Sequence, residues 1–173
     1  WESAVSFDPG AASPRHHLGT LAAVEERFAE ARRWYRSAMR LPNASPDLTD
    51  LDARAAESIA WAPRVTKLEQ IAASRPGSVD ALCDLGNAYF YLGRTGPAEA
   101  LYRRALRQAP GSIRALGNLG SALVQSGRVE EAIAIYERVF ALDPRHADAC
   151  VNLVAVYLGL EQRDRAKVWL DRA

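Results

Sequence analysis

Cysteine is scarce in this chain: Cys83 and Cys150 are its whole complement. Two thiols are too few for a disulfide framework or a zinc site. The single methionine is Met39, and no signal-peptide pattern precedes it. No apolar run approaches the roughly 18 residues of a membrane span, so no membrane insertion is expected. Charge of one sign is missing too. The 22 basic side chains oppose 21 acidic ones and leave a formal net charge of +1. So even a balance gives no global electrostatic footprint for nucleic acid. Catalytic signatures are also absent: there is no Gly-rich phosphate loop, nucleophile elbow or paired His–carboxylate motif. The sequence therefore predicts no enzyme active site, no cofactor and no metal centre. His16 and His17 are the nearest approach to a ligand pair. Neighbouring helix positions point about 100° apart, so the two imidazoles do not share an ion easily.

What is present is a hydrophobic fraction of 49% over 173 residues, enough for a substantial core. It is organised by repetition. Leu82, Leu85, Gly86, Tyr89, Ala98, Tyr102, Ala105 and Pro110 recur as Leu116, Leu119, Gly120, Leu123, Ala132, Tyr136, Val139 and Pro144. The offset is a constant 34 residues. A third copy reads Cys150, Leu153, Val154, Tyr157, Ala166, Leu170 and Ala173. Leu82, Leu85 and Tyr89 lie three and four residues apart, an apolar stripe on a helix. Gly86 and Gly120 are expected where a second helix crosses closely, opposite Ala98 and Ala132. Gly93 and Gly127 end the first helix of each pair in the left-handed conformation, while Ser78 and Ser112 are N-caps. Pro110 and Pro144 stop the second helix. Arg128 is expected on an exposed turn.

These motifs resemble the tetratricopeptide repeat (TPR) family. The resemblance implies an all-α solenoid, a right-handed superhelix of antiparallel helix pairs. In the same frame, Leu18, Gly19, Phe28, Ala31, Tyr35 and Ala38 make residues 12–44 a repeat. Residues 45–78 form a degenerate one through Leu48, Leu51, Ala55, Trp61, Leu68, Ile71 and Pro76. There Asp52 replaces the expected Gly and Arg64 the expected Ala, which should splay the pair or shift its register. Repeats follow at 79–112 and 113–146, and a last one at 147–173 stops within its second helix. Trp1, Ala4 and Pro9 fall on closing positions, so residues 1–11 are expected to end a preceding repeat. Cys83 and Cys150 lie two repeats apart, about 20 Å at one helix layer per helix, beyond disulfide reach.

The resemblance further implies that first helices line a concave groove for a protein or peptide ligand. Its expected residues are Asp80, Asp84, Asn87, Tyr91, Arg114, Asn118, Ser121, Gln125, Asp148 and Asn152. Asn118 and Asn152 share one repeat position, held by Asp84 in the repeat before. An amide there donates to and accepts from a peptide main chain. It equally suits a plain exposed helix face. The run Ala115 to Gly120 is similar to the repeats of O-GlcNAc transferase, which implies the alternative of a substrate-recognition region in a larger enzyme. Self-association through exposed end helices is the third reading. A carboxylate clamp of the chaperone-binding class is disfavoured: only Asn87 and Asn118 match, and Cys83, Asp148 and Asn152 stand where its cations belong. Asp50, Glu57, Asp80 and Asp84 give the groove's first half an acidic character suited to a basic or hydroxyl-rich segment.

Overall fold

The computed structural model describes residues 12–172, and among them are nine helices and no strand. They are α1 (Ala12–Val24), α2 (Phe28–Met39), α3 (Leu48–Ser74), α4 (Val79–Tyr91), α5 (Thr95–Gln108), α6 (Ile113–Gln125), α7 (Val129–Leu142), α8 (Ala147–Gly159) and α9 (Arg163–Leu170). The expectations placed on Trp1, Ala4, Pro9 and Ala173 lie outside the described residues. The chain divides into two compact units, Trp1–Arg64 and Val65–Ala173.

One residue with positive φ ends each first helix. Gly93 (φ 72) and Gly127 (φ 75) do so in the second unit, and Glu161 (φ 59) and Glu26 (φ 61) hold the same place elsewhere. Each turn lets the next helix run back along the first, so α1 packs on α2, α4 on α5, α6 on α7 and α8 on α9. Ser78 and Ser112 cap α4 and α6, accepting from the Ala81 and Ala115 amides at 3.3 Å.

Between these pairs the register fails once. The residue 34 before Gly93 is Ile59. A β-branched side chain is a true outlier at positive φ, so the chain does not turn there. The helix pair expected over 45–78 is absent, and α3 runs through as one helix of 27 residues. Pro63, the counterpart of Pro97 in the first turn of α5, is left inside α3. It carries a helix-start signal that no helix-stop precedes, and it has no N–H for the Ile59 carbonyl. Asp52 does not splay a pair. It lies beside Arg32 and Arg36, at 3.0 and 3.2 Å.

The tight crossings also differ from expectation. Gly86 and Gly120 do not owe their identity to Ala98 and Ala132. A Cβ at Gly86 would sit 2.5 Å from the Tyr102 ring, and one at Gly120 2.5 Å from the Tyr136 ring. Gly19 faces Tyr35 in the same way. These tyrosines are 1–2% exposed, and each fills the hollow that its glycine leaves. Where the glycine is replaced the tyrosine is replaced too: Asp52 goes with Leu68, and Val154 with Leu170. Leu170, expected in the core, is 62% exposed. Val154 is half-buried against the core, and Trp169 is buried instead, edge-on to Phe140 at 5.2 Å.

Candidate functional site

The second unit carries an open cleft of about 390 Å³ between α6 and α8, with α7 as its floor. Five of the expected groove residues line it: Arg114, Asn118 and Ser121 from α6, Asp148 and Asn152 from α8. They meet because α6 and α8 present equivalent faces one repeat apart.

Asn118 is held in place. Its Nδ2 donates to Asn87 Oδ1 at 2.8 Å, and the Tyr102 hydroxyl donates to the same oxygen at 2.8 Å. Asn87 is thus a support for Asn118, outside the cleft lining. One N–H and the carbonyl oxygen of Asn118 remain for a ligand. Asn152 makes no side-chain hydrogen bond among the described residues. Ser121 Oγ donates to the Gly117 carbonyl at 3.2 Å and lies 3.2 Å from the Tyr136 hydroxyl. Burial raises the Tyr136 pKa, so that hydroxyl stays protonated. Beside Asn118, a Cβ added at Gly117 would meet nothing within 4 Å. The backbone is bare there.

Arg114 revises the acidic reading of the groove. It bonds Asp80 at 3.0 Å and Asp84 more closely still. Its pKa is raised, first by the Asp84 hydrogen bond, so it stays charged. One guanidinium is thus shared by two carboxylates, which lowers the negative charge of this face from two to one. Asp50 and Glu57 belong to the other unit. Tyr91 is 67% exposed, and neither it nor Gln125 lines the cleft. Cys83 is fully buried, so it stands in no ligand-facing position. His17 bonds the Ser13 carbonyl at 2.8 Å, a local contact of α1.

Sequence reasoning missed His146. It holds the N-cap place of α8 that Ser78 and Ser112 hold for α4 and α6, but it makes no side-chain cap bond. Its Nδ1 is buried at the cleft wall and has no hydrogen-bond partner. A buried polar atom without a partner costs free energy that a ligand group recovers. The signal was available as a break in the serine pattern.

Residues 65–113 and 83–147 match one family model described as tetratricopeptide repeat, and residues 123–173 match another of the same description. No curated protein matches the chain. Among solved structures it is similar to YrrB, "a TPR protein with an unusual peptide-binding site". The identity is 22%, the TM-score 0.57, and the match covers 99% of this chain and 89% of that one. A MamA protein is 20% identical with a TM-score of 0.60, covering 93% of this chain and 88% of its own. MamA 41-end from Desulfovibrio magneticus RS-1 is 18% identical with a TM-score of 0.60, covering 93% and 92%. At such identities the likeness shows the fold alone. The matched models together span residues 65–173, more than half of the chain, so this protein belongs to the tetratricopeptide repeat family, an all-α solenoid of helix pairs.

Proposed function

We propose that this interaction scaffold binds an extended peptide in the cleft between α6 and α8. The observation that carries the reading is the company kept there. The Asn118 and Asn152 amides, the bare Gly117 backbone and the unpartnered His146 Nδ1 share one open cleft. Amides at one repeat spacing grip main-chain N–H and C=O groups with little regard to side chains. Asp148 adds an acidic group to the lining, while Arg114 is held by Asp80 and Asp84. YrrB's description as a protein with a peptide-binding site agrees in kind.

The test is selection from an unbiased library of displayed peptides, followed by calorimetry on those recovered. Each neutral hydrogen bond contributes about 0.5–1.5 kcal/mol, so Asn118→Ala with Asn152→Ala should weaken binding roughly tenfold or more. Arg107 and Glu137 are exposed and outside the cleft, so their alanine variants should bind as the parent does. Arg104 and Arg138 are unsuitable controls, because they bond the Pro76 and Pro110 carbonyls at 3.0 and 2.5 Å. Unchanged affinity in the double asparagine variant refutes the cleft.

An attached catalytic domain, the reading implied by likeness to O-GlcNAc transferase repeats, gains no support from the geometry. The amide ladder does not continue past Asn118, because Asp84 at the preceding position is bonded to Arg114. Self-association is favoured by one observation: Val151, Leu158 and Val168 at the α8–α9 end are 50–56% exposed. Sedimentation showing one mass at all concentrations removes it.

A further inference from the structure

A second cleft, of about 480 Å³, lies in the first unit and is lined by Arg32, Arg33, Arg36 and Arg40 with Ala29, Ser37 and Ile59. In a chain of net charge +1 this is a strong local excess. The four arginines share one face of α2 and its C-cap, over little more than two helical turns or about 12 Å. One carboxylate already sits among them. Asp52 accepts from Arg32 Nε at 3.0 Å and Nη2 at 3.2 Å, and from Arg36 Nε at 3.2 Å. These bonds hold Asp52 below the usual carboxylate pKa range, the Arg32 hydrogen bond first. Arg33 lies over the Trp34 ring at 5.8 Å, and Arg40 is the C-cap residue of α2.

The repeat register explains why this face is open. Aligning Tyr35 with Tyr102 places Arg32 and Arg36 at the positions of Glu99 and Arg103 on α5. There the next second helix answers them. Arg128 Nη1 donates to Glu99 Oε1 at 2.7 Å, and Arg103 lies 3.8 Å from Glu131. The repeat after α2 makes no second helix, since α3 does not turn at Ile59. The helix that would have covered this face is missing. In its place stands a row of guanidiniums with a single carboxylate.

We propose that the arginine-lined face of α2 is a docking site for an acidic segment of a partner protein. The segment supplies carboxylates at helical i, i+4 spacing to Arg33, Arg36 and Arg40, as Asp52 does to Arg32 and Arg36. Arginine forks bind carboxylates in pairs, which makes the recognition geometric as well as electrostatic. Ile59, 39% exposed at the cleft, offers a seat for one apolar side chain of the same segment.

The experiment titrates the full chain into a fluorescein-labelled helical peptide of glutamate and alanine with i, i+4 glutamates, read by anisotropy at low salt. Binding is expected, and Arg33→Glu with Arg40→Glu should weaken it about tenfold or more. Both side chains lie outside the Asp52 clamp, so the helical circular dichroism should be unchanged. If that variant unfolds, Arg33→Gln with Arg40→Gln carries the same test. The peptide with glutamine for glutamate should not bind. Asn118→Ala with Asn152→Ala should bind the acidic peptide as the parent does, which separates this face from the cleft of the second unit. No binding of the acidic peptide, or equal binding by the arginine variants, overturns the proposal. So does tighter binding, through the same arginines, of duplex DNA or phosphatidylserine vesicles, which would assign the face to phosphate.

Discussion

Two glycines three residues apart on α6 should respond to alanine with opposite signs. Gly120→Ala sets a Cβ 2.5, 2.7 and 3.0 Å from three atoms of the Tyr136 ring. That ring is 2% exposed and wedged between helices, so it has little room to withdraw. Overpacking of this kind costs about 1–3 kcal/mol. The gain in helix propensity from Gly to Ala, about 1 kcal/mol, offsets part of it. The net effect is a loss of up to about 2 kcal/mol. Gly117→Ala meets no atom within 4 Å and keeps the propensity gain alone. The two variants should therefore differ by about 1–3 kcal/mol in urea denaturation followed by far-UV circular dichroism. A double-mutant cycle sharpens the test. Tyr136→Leu takes the ring out of the hollow beside Gly120. In that background the cost of Gly120→Ala should disappear. If Gly120→Ala stabilises as much as Gly117→Ala does, the ring is not what selects glycine, and the packing argument for all three tyrosines falls.

Gly127 has φ 75, so Gly127→Ile should cost about 1–3 kcal/mol by forcing a β-branched residue into the left-handed region; an unchanged urea midpoint would undo the account of α3 given by Ile59. Arg128 was expected on an open turn, yet it bonds Glu99, a side chain only 10% exposed, at 2.7 Å. Arg128→Ala should then lower the urea midpoint further than exposed Arg107→Ala does in the same denaturation series. Arg32 and Arg36 depress the Asp52 pKa, so its contribution is present above the ordinary carboxylate pKa and fades as pH falls through the folded value. The melting-temperature gap between the parent and Asp52→Asn should accordingly narrow below pH about 4, and a constant gap would refute the pairing.

The repeat period was legible because the groups that create it act over short distances. A left-handed turn asks for glycine at 93 and 127, a cap asks for serine at 78 and 112, and a buried stripe asks for leucine at 82, 85, 116 and 119. Each demand is written in the residue that meets it. The partner of a close-packed glycine is not, because it lies sixteen residues away on another helix, as Tyr136 does from Gly120. Long side chains were the least legible. Arg114 reaches back across a repeat to Asp80 and Asp84, and Arg128 reaches back to Glu99. Spacing says nothing of such reach, so an acidic groove and an idle turn were expected where ion pairs stand.

The departures from the register carry a different kind of information. A repeat position keeps its residue type when the neighbouring repeat depends on it. A substitution there removes a specific contact, and the structure shows what is left uncovered. His146 for serine takes the cap from α8 and leaves Nδ1 in the cleft wall. Ile59 for glycine removes a turn, and with it the second helix that would lie on α2. Arg32 stands where α5 has Glu99, so the charge that the next helix would have answered is reversed. The last two changes belong together physically. A reversed charge facing a regular second helix would be buried against a cation at the Arg128 position, whereas beside α3 it meets Asp52 and solvent. If the fused helix and the arginine face are one device, then Arg32→Glu should destabilise the first unit by setting a carboxylate against Asp52. Asp52→Arg should restore the ion pair in that background. Melting of the single and double variants decides it, and additive losses would mean that the two departures arose without reference to each other.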